Sequence, residues 1–455
     1  MRNLLETLRR HNIEVFETGP NLRDELLGDD PRVSPQVELV TNAKLGQLEP
    51  LLRSLGIVLE MTDGRNGLQF AMPHEGRTFR VRVTAMRTMR GATAAYFRQR
   101  GLRPIEADLA TREITINAIA RDVDGELVDP FGGLEDLRAK RIRSVVPADQ
   151  IVRANPLWLL KLPRYVSVLG YQPADELLRE AYAVAGNVLD LQRERWRTEF
   201  ERILVGPYVD QALQFMFDSR VLHHLLPEVS VLVGFEKSCA VHHKDIWEHT
   251  KQVVMRAKPI ATVRWAALLH DVGKVFTRTV DDGKVHFFRH EEMSAILFEG
   301  IAARFEIPAP QAERIHYVVR NHSRINLYSE DWTDSAVRRL ISHAGEHLED
   351  LVFLSKADVT TQNSQRKEKI RALLQELELR IGEIREKDNY ESPVPKKFGE
   401  LIMEHFGLKP SKTVGHLRDM LEGALNDGLL EPGQPAAYYL RWLEAHASEI
   451  TAQNE

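Results

Sequence analysis

The sequence predicts an α+β protein, with an α/β head over residues 1–140 followed by a long all-α body. Three observations carry this. Short β-rich runs crowd the first 140 residues and then almost vanish. Apolar residues recur at helical spacing through the rest of the chain. At 455 residues the chain is too long for one hydrophobic core.

Within the head, the runs 14–19, 36–41, 56–61, 68–73, 78–86 and 114–125 have strand composition, and 22–28 and 45–56 read as helices. That gives a sheet of about five strands. Beyond residue 140, the segments 158–170, 175–186, 195–206, 210–226, 246–257 and 363–386 all space their apolar residues as helices do. Breaks near 227–229 and 392–397 divide this body. The expected domains are 1–140, 141–235, 236–375 and 376–455.

Composition excludes several classes. Hydrophobic content of 43% with 28% charged residues is that of a globular protein in water. No stretch approaches the roughly 18 apolar residues that a membrane span needs. The N-terminus is charged throughout and carries no apolar signal-peptide core. Cys239 is the single cysteine, which rules out intrachain disulfides and points to a structural thiol in a reducing cytoplasm. A net charge of −5 argues against a surface coated with nucleic acid, yet leaves room for a local basic groove. Residues 77–103 hold eight arginines and no acid. By period-two alternation Arg80 and Arg82 share one strand face while Phe79, Val81 and Val83 take the other. Such a face suits phosphate, or else pairs internally with Glu38 and its neighbours.

The block 242–358 is the richest in chemistry. His249, the adjacent His270 and Asp271, His290, His322 and Asp358 fall in five segments of amphipathic character. Imidazole and carboxylate suit first-row divalent ions, and facing helices are where bundle proteins build such sites. Lys274 follows as an electrostatic partner for phosphate or as an exposed lysine at a helix cap. The order of residues resembles the HD superfamily of phosphohydrolases. That resemblance implies His249, His270, Asp271 and Asp358 as ligands of a divalent ion (Mn²⁺, Ni²⁺, Co²⁺ or Mg²⁺). It also implies His290 and His322 as ligands of a second ion; Asp271 and Lys274 are the expected catalytic groups. Asn321 stands where two-metal relatives have another histidine.

Read in order, TGPNLRDELLG, PQVELVTNA, ADLATREITINAIA, DPFGGLEDLRAKRIRSV, NPLWLLKLPRYVSVLGY and GLKPSKTVGHLRDMLEGALNDGLL resemble the motif series of the CCA-adding tRNA nucleotidyltransferase and poly(A) polymerase family. The resemblance spans nearly the whole chain and implies a nucleotidyltransferase-like head, a helical RNA-binding neck and RNA or nucleotide partners, tRNA first among them. The departures fall at reacting positions. Gln36 and Glu38 stand where the family carries Asp-x-Asp, and Arg80 where it carries a third carboxylate. Gly19–Pro20 replaces paired glycines, while Arg23 and Asp24 remain. Asn155 and Trp158 replace an Asp and an Arg that select the incoming base. A two-metal clamp needs paired carboxylates. The sequence therefore leads us to expect an HD-type phosphohydrolase acting on RNA 3′ ends or 2′,3′-cyclic nucleotides, with nucleotide addition lost from the head and Arg23, Arg80 and Arg82 holding RNA phosphate. Two alternatives stand beside it. One is a working CCA- or A-adding enzyme with altered metal ligands, drawing on Asp29, Asp30, Asp108 or Glu113. The other is a non-catalytic RNA-binding protein.

Overall fold

A computed structural model describes residues 2–28, 36–60, 67–74, 77–238, 245–360, 363–389, 397–426, 428–431 and 433–446. Asp29, Asp30 and Cys239 lie outside the described residues. The fold is α+β, a mixed sheet at the head followed by a largely helical body.

Seven strands form the head sheet: β1 (Val15–Thr18), β2 (Gln36–Thr41), β3 (Leu59–Glu60), β4 (Leu68–His74), β5 (Arg77–Ala85), β6 (Ala120–Arg121) and β7 (Leu127–Val128). Their order is β3-β4-β5-β2-β1-β6-β7. Only β2 and β5 run parallel; every other pair is antiparallel. Alternation along the strands sorts side chains between two cores. Val37, Leu39, Val81 and Val83 pack under the helices Arg2–Arg10 and Leu45–Ser54, against Leu8, Leu48 and Leu52. Val40 turns to the opposite face and meets Phe97, Ile105, Leu109 and Ala118. Each such aliphatic side chain taken out of water contributes roughly 1.5–3 kcal/mol.

Two expectations change. The run 114–125 forms a single 3₁₀ turn, Thr115–Asn117, followed by the short β6. The Thr115 hydroxyl donates to buried Asp136 at 2.6 Å, and the Thr115 amide donates to the Arg143 carbonyl. Those local bonds outweigh strand propensity. The body is also not wholly helical. It holds the parallel pair β8 (Arg141–Ile142) and β9 (Gln172–Pro173), and a hairpin of β10 (Arg278–Asp281) and β11 (Lys284–Phe287). Asp282 and Gly283 turn that hairpin with φ of 45° and 71°, the two positive values a tight reversal requires.

The chain divides into two compact units, Met1–Tyr328 with Ala344–Ala372, and Ser329–His343 with Leu373–Glu455. In the first, the helix Trp158–Leu169 buries Trp158, Leu159, Leu162 and Val166 and stops at Gly170, whose φ of 66° ends it. Further on, Phe200, Trp265 and Phe305 pack with tilted or edge-on rings, their centroids 4.8–5.7 Å apart. In the second unit, Phe398, Ile402, Leu421, Tyr439 and Leu443 form a separate core. Among the described residues no helix is long and apolar enough to cross a membrane.

Candidate functional site

The histidine cluster is assembled from the ends of helices. Asp245 accepts the Glu248 amide at 3.0 Å and starts the helix Ile246–Arg256, which carries His249 one turn in. His270 terminates Ala261–Leu269, His290 opens His290–Arg304, His322 opens the 3₁₀ turn His322–Leu327, and Asp358 closes Leu348–Asp358. His249, His290 and Asp358 lie in helices, the last two at their ends, while His270 follows a helix and His322 opens the 3₁₀ turn. Gly273 lets the His270–Asp271 turn lie against the next helix: a β-carbon there would come within 2.3 Å of the His290 carbonyl oxygen. Ser294 fastens the contact, its hydroxyl donating to the His270 carbonyl and accepting from the Gly273 amide.

Six side chains converge. His249 Nε2 lies 3.2 Å from His270 Nε2, 3.3 Å from Asp271 Oδ2 and 3.1 Å from Asp358 Oδ1. His290 Nε2 and His322 Nε2 lie 3.4 and 3.9 Å from the other Asp271 oxygen, Oδ1. The ligand atoms form two sets, His249–His270–Asp358 and Asp271–His290–His322, each within 4.8 Å. The Nδ1 atoms of His270, His290 and His322 contact the carbonyls of Ala267, Phe287 and Val319 at 2.7–2.9 Å. A carbonyl only accepts, so these rings carry their proton on Nδ1 and turn an Nε2 lone pair inward. The Nδ1 of His249 meets the Thr360 hydroxyl at 2.8 Å. Lone pairs and carboxylates this close repel unless a cation lies among them, so the residues fit a divalent ion.

The electrostatics agree. Burial would drive His270 down, yet Asp271 and Asp358 draw it above its ordinary value. Burial and the neighbouring His270 push His322 down to about 4. Burial opposes ionisation of both carboxylates, but His270 and Lys274 hold Asp271 well below its usual range, and His249 and His270 do so for Asp358. Lys274 Nζ donates to Asp271 Oδ2 at 2.6 Å, so its charge is spent on the cluster. Asn321 turns its amide back to the Tyr317 carbonyl. Beside the cluster opens a cavity of 720 Å³ walled by Ile246, Phe287, Arg366 and Ile370.

In the head, the parallel register sets Gln36 beside Arg80 and Glu38 beside Arg82, while Glu38 faces Thr18 across the antiparallel pair. Arg80 is exposed and pairs with Glu60 at 3.6 Å rather than with Glu38. Glu38 pairs with Arg112 at 3.8 Å. Arg112 also donates to the Thr18 hydroxyl and to buried Asp108, both at 3.1 Å. Sequence reasoning gave Arg112 no role. Gly19 has φ of 89°, and a β-carbon there would strike Glu38 Oε2 at 2.6 Å, so the turn closes directly over that carboxylate. Arg23 is buried, donating to Asp24 at 2.8 Å and to Asn117 at 3.2 Å. Asn155 folds its side-chain oxygen onto the Leu157 amide, and Trp158 is 2% exposed, a core residue. Glu113 receives Lys161 and the Tyr165 hydroxyl. Among the described residues no three ligand atoms gather in the head. The described residues of the head do not fit a two-metal clamp.

Comparison with known proteins places this geometry. The "Poly A polymerase head domain" matches residues 15–143, "Probable RNA and SrmB- binding site of polymerase A" matches 172–232, and "HD domain" matches 246–363. The chain is 31% identical to a "Multifunctional CCA protein" of Pseudomonas paraeruginosa, over 68% of this chain and 75% of that protein. It is 29% identical to an "A-adding tRNA nucleotidyltransferase" of Deinococcus radiodurans, over 75% and 80% of the two chains. A Bacillus stearothermophilus CCA-adding enzyme in complex with CTP has the same fold, with TM-score 0.56, 20% identity and 98% coverage of both chains. These relatives overturn the expectation that hydrolysis at the histidine cluster is the function of the chain. Proteins alike over most of its length are named for CCA or A addition, so the loss of individual carboxylates had been given too much weight. The chain belongs to the CCA-adding tRNA nucleotidyltransferase and poly(A) polymerase family, with an HD domain in its body.

Proposed function

We propose that this protein adds nucleotides to the 3′ end of tRNA, at the head and with altered active-site groups. The observation that carries the reading is the 31% identity to a multifunctional CCA protein across three quarters of that relative's length. The head's own residues define how the reaction would run. Glu38 is the carboxylate at the turn Gly19–Pro20 and would take the proton of the attacking 3′-hydroxyl. Arg23, Arg80, Arg82 and Arg112 would hold the triphosphate and balance the charge developing on pyrophosphate. With Gln36 in place of an acid, addition should be slow. With Trp158 in the core and Asn155 turned to its own backbone, discrimination between incoming bases should be weak. Such an activity on tRNA would belong in the cytoplasm.

The cluster in the HD domain is proposed as the divalent-metal site, with His249, His270 and Asp358 as one ligand set and Asp271, His290 and His322 as the other. Such an ion would supply a strong local positive charge and polarise a bound oxygen. The domain limits 1–140, 141–235, 236–375 and 376–455 are part of the same proposal.

The test is incorporation of labelled CTP or ATP into tRNA lacking its terminal nucleotides. Wild type should extend the tRNA, and Glu38→Gln should lose the activity. A second reading, binding of tRNA without addition, is favoured by the lack of three gathered ligand atoms in the head among the described residues. No incorporation by wild type above a protein-free control would leave that reading standing in place of the first.

A further inference from the structure

Phenylalanine belongs in a core, and among the described residues the two exposed phenylalanines are Phe276, 55% exposed, and Phe288, 68% exposed. Both flank the β10–β11 hairpin. Because Arg278 pairs with Phe287 across the strands, the two ends of the hairpin meet and bring these residues to the same edge. The ring of His286 lies parallel to that of Phe288, with centroids 5.2 Å apart and planes within 5°. Strand alternation sends Phe287 the other way, where it walls the cavity beside the histidine cluster. One face of the hairpin thus borders the cluster, and the edge beyond it offers stacked and unburied aromatic faces.

We propose that this edge is a stacking platform for the unpaired bases of single-stranded RNA, on the HD domain and separate from the head. Every base has a π-face, so exposed rings bind unpaired nucleotides with little regard to sequence. The charges nearby suit the phosphates that accompany such bases. Arg278, at the open end of the hairpin opposite Phe287, holds the Ser238 hydroxyl at 2.8 Å, while Lys284 lies at the far tip in register with Asp281. Arg289 follows Phe288 and pairs with Glu292. The acids Asp281 and Asp282 sit at the far tip of the hairpin, away from Phe276 and Phe288 in the register. A docked protein segment would prize the same apolar area but has no requirement for a π-face, which separates the two occupants experimentally.

The experiment uses the full chain and a fluorescein-labelled ribo-pentaadenylate, with anisotropy read at low salt in EDTA. Phe288→Ala and Phe276→Ala should each weaken binding by about 5- to 150-fold, the range expected for one lost base–aromatic stack. Phe288→Leu should bind as weakly as the alanine variant. Phe288→Trp should bind at least as well as wild type, and its indole emission should be quenched as RNA saturates it. Affinity of Phe288→Ala within about twofold of wild type would overturn the proposal, since a stacked base is worth more than that. So would full recovery in Phe288→Leu, which would assign the edge to apolar protein docking. An unquenched indole in Phe288→Trp with RNA bound would overturn it too. Nucleotide addition at the head is not read in this assay, so failure of that reading leaves these outcomes unaltered.

Discussion

Thr360→Val tests how the histidine cluster is tuned. The Thr360 hydroxyl lies 2.8 Å from His249 Nδ1, and both residues are buried. Valine keeps the shape and removes the oxygen. Nδ1 then loses this contact, and with it a restraint on the ring that directs Nε2 toward Asp271 and Asp358. Losing such a supporting hydrogen bond typically weakens metal binding by about 10- to 100-fold, or roughly 1.4–2.7 kcal/mol. Losing this buried hydrogen bond should also lower stability without metal by about 1 kcal/mol. Titration of Mn²⁺ against a competing chelator measures the first effect, and urea unfolding in EDTA the second. Thr360→Ser restores the hydroxyl and should bind nearly as wild type does. Metal affinity of Thr360→Val within about twofold of wild type would refute the reasoning, because a ligand deprived of its supporting partner cannot be unaffected.

Other substitutions probe the head. Gly19→Ala places a β-carbon 2.6 Å from Glu38 Oε2 in a backbone conformation with φ of 89°, so it should displace Glu38 and abolish nucleotide addition, read by labelled CTP or ATP incorporation. Trp158→Arg should destabilise the protein by about 3 kcal/mol or more instead of restoring base selection, because the side chain enters a packed interior; thermal unfolding measures this. The double variant Arg80→Ala/Arg82→Ala should bind tRNA more weakly in EDTA and lose part of the steep salt dependence between roughly 50 and 200 mM, as seen by filter binding.

Residue types and strand alternation were readable from the sequence, and side-chain direction was only partly so. Val81 and Val83 are buried while Arg80 is exposed, as period-two spacing indicates. The hairpin at 278–287 escaped a reading that treated the body as helical, although its Asp282–Gly283 turn between β-branched residues is a local signal. At the cluster, chain order gives the ligand types but not which nitrogen faces inward. That depends on carbonyls three residues before His270, His290 and His322, and on Thr360, which no periodicity marks. Trp158 stood out as a missing base-selecting group, yet in the fold it fills a core. Arg112 pairs locally with Asp108 at i,i+4, but its bridge to Thr18 and Glu38 is tertiary and could not be seen along the chain. The functional expectation failed for a related reason. A few lost carboxylates were weighed one by one, while similarity distributed along the chain carried more information.

The central claim is that nucleotides are transferred at the head and not at the histidine cluster. Its most direct test compares the rate of CTP and ATP addition to end-trimmed tRNA by wild type, Glu38→Gln and Asp271→Asn, with folding of each verified by circular dichroism. The account predicts that Glu38→Gln loses addition while Asp271→Asn, altered only in the HD domain, retains it. Addition that survives in Glu38→Gln and disappears in Asp271→Asn would contradict the account.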